Sequence, residues 1–125
     1  MSAWRRRALE AFPDHGTEIR APQLTLHQLF FEMGQWCRDA HAAGDRELLS
    51  RIYSYAEWCF RLPDRSAANA AAVSFYEHLG DSRATLSAMP EWVPKDVFAD
   101  VASLLEYRVG GAALADVRAA YAKMR

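Results

Sequence analysis

The segment from Asp45 to Leu62 carries apolar side chains on nearly every side of a helix. Leu48, Leu49, Ile52, Tyr53, Tyr55, Ala56, Trp58, Cys59, Phe60 and Leu62 leave one narrow polar stripe of Ser50, Arg51, Ser54, Glu57 and Arg61. Such a helix is stable only when neighbours cover it, so the segment predicts the central helix of a packed helical domain.

The rest of the chain supplies the covering helices. Pro13, Gly16, Pro22, Gly44, Pro63, Gly80, Pro90, Pro94 and the Gly110-Gly111 pair divide it into helical lengths. The reading gives a short basic helix at 3–12 and an irregular stretch at 13–22. A helix at 24–43 follows, with its stripe on Leu26, Leu29, Phe30, Met33, Cys37 and Ala40. Gly44 is expected to supply its C-cap, and Asp45 to cap the central helix. Ser66 opens a helix running to Leu79, and Ser82 caps one ending near Met89. Met89 to Pro94 reads as a tight connector. The last two helices span 95–108, on Val97, Phe98, Val101, Leu104 and Leu105, and 112–124, on Leu114, Val117, Tyr121 and Met124.

No stretch alternates as a strand would. The expectation is an all-α, single-domain bundle of about six or seven helices packed as antiparallel hairpins near 24–62, 66–89 and 95–124. Residues 1–22 form a peripheral N-terminal helix and linker, and 23–125 the core. The hairpins differ in length and share no consensus, which argues against a repeat protein.

Composition narrows the function classes. The 125 residues are 51% hydrophobic and 25% charged, the balance of a globular domain rather than a disordered one. The formal charge of −1 argues against a nucleic-acid partner bound by phosphate neutralisation. No apolar run approaches the roughly 20 residues of a membrane span, and no apolar segment follows Arg5-Arg6-Arg7 as in a signal peptide, so a cytoplasmic location is expected. Alanine occurs 23 times, and arginine 13 times against 2 lysines. Both favour helix, and the bias is the one GC-rich codons produce, which points to a bacterial source.

Sites for chemistry are scarce. Cys37 and His41 share a helix face at i, i+4, and Cys59 could supply a third metal ligand. In a hairpin folded about Gly44, however, facing residues sum to roughly 89, which sets Cys37 opposite residue 52. Cys59 then lies about 10 Å further along the axis, too far for a shared metal or a disulfide. Buried reduced thiols are expected, with no metal and no cofactor. His15, His27 and His78 lack a partner at metal-ligand spacing, and neither a nucleophile elbow nor a phosphate-binding glycine loop occurs. The chain is not expected to be an enzyme. Arg5-Arg6-Arg7 reads as the solvated face of a terminal helix.

Acidic residues beside aromatic ones are more suggestive. Glu57, Asp64, Glu77, Asp81 and Glu91 fall at helix ends and connectors around the central hairpins, where aromatic residues such as Trp58 and Trp92 also occur. Acids with a tryptophan anchor suit a basic protein partner. The partner-binding candidates are therefore Glu57, Asp64, Glu77, Asp81, Glu91 and Trp92. The stripe Ser54, Glu57 and Arg61 is a separate candidate for lining a pocket.

Residues 69–80, Asn-Ala-Ala-Ala-Val-Ser-Phe-Tyr-Glu-His-Leu-Gly, and 106–110, Glu-Tyr-Arg-Val-Gly, carry a resemblance. With Phe75, Glu77 and Leu79 followed by the connector Pro90 to Pro94, the chain over about 24–110 resembles a family of short, all-helical, poorly characterised bacterial proteins. Proteins of that kind often accompany polymorphic toxins. The resemblance thus implies an immunity protein that binds and blocks a cognate toxin, itself basic where its target is nucleic acid. A self-associating adaptor is the alternative from another class, followed by a small-ligand-binding domain or an enzyme.

Overall fold

A computed structural model describes residues 1–124. Arg125, the last residue of the predicted domain, lies outside the described residues. Among the described residues there are eight α-helices and no strand: α1 (Ala3–Ala11), α2 (Gly16–Arg20), α3 (Leu26–Ala43), α4 (Arg46–Phe60), α5 (Arg65–Ala71), α6 (Arg83–Trp92), α7 (Lys95–Val109) and α8 (Gly111–Ala122). The helix boundaries follow local chemistry. Thr25 and Gln28 form a reciprocal capping box at the start of α3. Gly44 ends α3 at φ +67°, and the Asp45 side chain accepts from the Leu48 amide at the start of α4. Ser82 caps α6 through the Thr85 amide.

The helical pairs at 24–62 and 95–124 form as expected. Cys37 faces Tyr53 across α3 and α4, one residue from the position that the turn at Gly44 predicts. Phe98 stacks on Tyr121 across α7 and α8 at 4.2 Å, and Glu106 meets Arg118 nearer the turn. The central helix is α4: Leu49, Ile52, Tyr53, Tyr55, Ala56 and Cys59 are buried in one core shared by all the α-helices.

Three local expectations are corrected. The stretch 13–22 is largely helical rather than irregular, a 3₁₀ turn (Pro13–His15) followed by α2. It is also less peripheral than its terminal place implies, because Ala8, Phe12 and Ile19 are fully buried in the main core. The helix expected at 66–79 starts earlier, with Asp64 rather than Ser66 as its cap, and gives way at Ala72 to a π-helical turn (Ala72–Tyr76) and a 3₁₀ segment (Glu77–Asp81). The wide turn lets three consecutive side chains, Ser74, Phe75 and Tyr76, all be buried. Phe75 meets Phe30 of α3 and Tyr53 of α4, while Tyr76 meets Phe60 of α4. Finally, Pro90 lies inside α6 rather than in a connector. The end of α6 is braced by Tyr121, whose hydroxyl lies 2.8 Å from the Met89 carbonyl and 2.7 Å from that of Val93.

The arginine run is structural at two of its three positions. Arg5 donates to the carbonyls of Ile19, Ala21 and Leu24, fastening α1 to the end of α2 and the segment entering α3. Arg7 lies over the Trp58 ring at 5.1 Å. All four tryptophans sit half-buried at the rim of the core with a polar neighbour on the ring: Trp4 with Arg5, Trp36 stacked on His15, Trp58 with Arg7, and Trp92 with Arg46.

Candidate functional site

Every acidic residue nominated from the sequence is engaged within the chain. Asp64 accepts from the Ser66 amide and is a cap. Glu57 pairs with Arg61 at 2.9 Å, and Arg61 also reaches both oxygens of Asp96 at the start of α7. Hydrogen bonds from Arg61 hold Asp96 below the usual carboxylate range. Glu91 pairs with Arg46 at 2.6 Å, and Arg46 covers the Trp92 indole, which in turn stacks on Tyr53. Trp92 is therefore one layer of a cation–aromatic stack leading into the core. Glu77 and Asp81 share Arg108. Burial raises the Asp81 pKa, but hydrogen bonds from Arg108 and His78 outweigh it and leave the carboxyl below its ordinary range.

The nominated residues thus fall into separate clusters, and the arginines that organise them were not among the candidates. Two of the clusters are unbalanced. Arg61 stands between Glu57 and Asp96, and Arg108 between Glu77 and Asp81, so each has two carboxylates to one guanidinium. The Arg46–Glu91 pair is neutral.

The stripe residues Ser54, Glu57 and Arg61, with Trp58 and Leu62, line an open hollow of about 430 Å³. Its one guanidinium is committed to two carboxylates. A second hollow, of about 680 Å³, is lined by Glu77, Gly80, Asp81, Tyr107, Arg108 and Val109. Here the surface changes character. Tyr107 is 91% exposed, and Phe31 on α3 is 55% exposed. Phe31 meets the His78 ring edge-on at 5.1 Å, His78 Nδ1 lies 2.8 Å from Asp81, and Asp81 binds Arg108 beside Tyr107. A continuous face therefore runs from Phe31 through His78, Asp81 and Arg108 to Tyr107.

Neither exposed aromatic was a sequence candidate, although the signal was present. Phe31 follows the buried Phe30 and lies off the stripe of α3; Tyr107 follows Leu105 by two positions, on the polar side of α7. Large apolar side chains on a wet face are informative in the way that buried polar groups are.

The π turn and the 3₁₀ segment position this face. Ser74, buried in the π turn, bonds His27 of α3 at 2.6 Å, one helical turn before the contact of Phe31 with His78. Gly80 lets the 3₁₀ segment approach α7 closely: a Cβ there would lie 2.7 Å from Val109 Cγ1. Val109 is β-branched and cannot swing aside freely. Gly80→Ala is accordingly expected to cost about 1–3 kcal/mol, through overpacking. Gly34→Ala, in α3 with only Arg38 at ordinary contact distance, should instead stabilise by about 0.5–1 kcal/mol. Thermal unfolding of the two variants side by side checks the pair.

The thiols and histidines form no metal centre: among the described residues, no three His, Cys, Asp or Glu side chains are placed to hold an ion. Cys37 and Cys59 are free and buried, and burial pushes both thiols up to about 11. Cys37 bonds the Tyr53 hydroxyl, which lies 2.8 Å from His41 Nε2. If the thiol donates to Tyr53 and Tyr53 donates onward, His41 must accept and be neutral. Burial lowers the His41 pKa, with nearby Glu91 opposing. The unfolded chain then binds a proton at His41 more readily than the folded one, with an unfolded pKa of about 6.5. The stability this neutral imidazole contributes is present above that value and is lost as pH falls through the folded pKa. The melting temperature should drop between pH 7.5 and 5.5, and His41→Gln should reduce the drop; an unchanged drop would remove His41 as its source.

No helix among the described residues is long and apolar enough to cross a membrane. The fold and the site together define a small all-α domain with two exposed aromatic residues on either side of an ion cluster. The chain belongs to a family described as a domain of unknown function, DUF7674, whose sequence profile matches residues 5–106. The match takes in most of α1, which the resemblance at 24–110 left out, and ends one residue before Tyr107. No curated protein and no solved structure matches the chain.

Proposed function

We propose that this chain is a protein–protein interaction module, and in particular a bacterial, cytoplasmic immunity protein that occludes a cognate toxin. The observation that carries the reading is the exposure of Tyr107 and Phe31 in a chain whose other tyrosines and phenylalanines are buried or half-buried. Exposed aromatic residues are favoured anchors of protein interfaces. The excess carboxylate at two of the ion clusters adds a preference for a basic partner and speeds encounter with it. Occlusion needs a rigid, complementary surface and no reacting group.

Affinity capture of the tagged protein from its source cells tests the proposal. The expected result is a stoichiometric protein partner that is lethal when expressed alone and harmless when this chain is present. Recovery of the chain by itself, with sedimentation showing a stable homodimer, would replace the reading with a self-associating adaptor.

A further inference from the structure

Resting on that interaction reading, we infer that the face from Phe31 to Tyr107 is the docking surface, and that it receives a segment of the partner protein presenting one arginine or lysine beside an apolar side chain. Charge sets the first half of this assignment. Arg108 spends its Nε and Nη2 donors on Asp81. Glu77 is left with Arg108 Nη1 at 3.8 Å, beyond hydrogen-bonding distance. The Glu77 side chain is only 15% exposed, yet it lines the hollow beside Tyr107. It is thus a largely desolvated carboxylate without a hydrogen-bonding cation of its own, in a recess open to solvent. An incoming guanidinium or ammonium completes the balance of two carboxylates and two cations at this point.

The aromatic residues set the second half. Phe31 and Tyr107 stand at the two ends of the same face, and each offers apolar area that the chain does not cover. A cation that binds Glu77 lies beside the Tyr107 ring, where a cation–π contact adds to the ion pair. A partner that carries charge alone leaves both rings in water. One that carries apolar groups alone leaves Glu77 without a cation.

The test uses random linear peptides displayed on phage and selected on the intact chain. The enriched sequences are expected to pair Arg or Lys with a neighbouring aromatic or aliphatic residue. They should bind about tenfold or more weakly to the Phe31→Ala/Tyr107→Ala protein and to the Glu77→Gln/Asp81→Asn protein. The aromatic variant alters exposed side chains only, so unchanged circular dichroism separates loss of binding from loss of fold. An acidic or purely apolar consensus, undiminished binding to both variants, or no enrichment at all overturns the assignment. A homodimer that the aromatic substitutions dissociate also overturns it, naming a second copy as the occupant. A captured protein that binds the aromatic variant as tightly as the parent removes this surface while leaving the interaction reading intact.

Discussion

Phe75→Ala should lower the unfolding free energy by about 3–5 kcal/mol, the range for emptying a buried aromatic site. The ring is 1% exposed and lies within 6 Å, centroid to centroid, of Phe30, Tyr53 and Tyr76. It therefore joins α3, α4 and the π turn at one point. Its neighbours are themselves aromatic and held from other sides, so the cavity has little means of collapsing. Against a total stability of about 5–15 kcal/mol for a domain of ordinary size, the loss leaves a marginal fold. Urea unfolding followed by circular dichroism reads the change. A loss below about 1.5 kcal/mol would show that the π turn repacks readily, and would weaken the case that it fixes Glu77, His78 and Asp81 in place.

Arg5→Ala comes next, with an expected cost of about 2–4 kcal/mol, because hydrogen bonds from a charged donor to three separate carbonyls are lost together. Two of those carbonyls, Ala21 and Leu24, lie beyond the end of α2. Arg5→Lys should recover only part of the loss, since one ammonium cannot reproduce a planar fork spanning three acceptors. The Arg6 side chain, among the described residues, donates only to the exposed Met1 carbonyl, and Arg6→Ala should stay within about 0.5 kcal/mol. Equal effects at the two positions in urea titrations would refute the clamp.

The contrast between neighbouring arginines marks where the sequence stops being legible. Periodicity located α3, α7 and α8 because each has one apolar face, α4 stood out as apolar on nearly every side, and Gly44, Asp45 and Ser82 announced their turns and caps through chemistry local to a few residues. Arg5 could not be distinguished from Arg6 by such means: its acceptors lie 14 to 19 residues away and exist only once α2 packs on α1. The π turn is hidden for a related reason. Ala72 to Tyr76 reads as ordinary helix, and the extra residue per turn is imposed by Phe30, Tyr53 and Phe60 on the surrounding helices. Pro90 misled in the opposite direction, since the bracing hydroxyl comes from Tyr121, more than thirty residues later.

The candidate site divides along the same line. Acidic side chains could be picked out by type, and Glu77 and Asp81 do meet on one surface. Their balancing cations could not, because Arg108 reaches Asp81 from 27 residues away and Arg61 reaches Asp96 from 35. Phe31 and Tyr107 were within reach of the helical pattern, as large apolar residues that fall off the buried stripe.

The rim positions of the four tryptophans give the domain a built-in optical map. Trp4 and Trp58 report on the seating of α1, Trp36 on the ordered stretch around His15, and Trp92 on the end of α6. Because each indole is half-buried beside a polar group, its emission shifts when its own sector opens to water. A set of single-tryptophan proteins, with phenylalanine at the other three positions, would thus resolve whether the N-terminal clamp, the central helix and the α6 end separate together or in sequence.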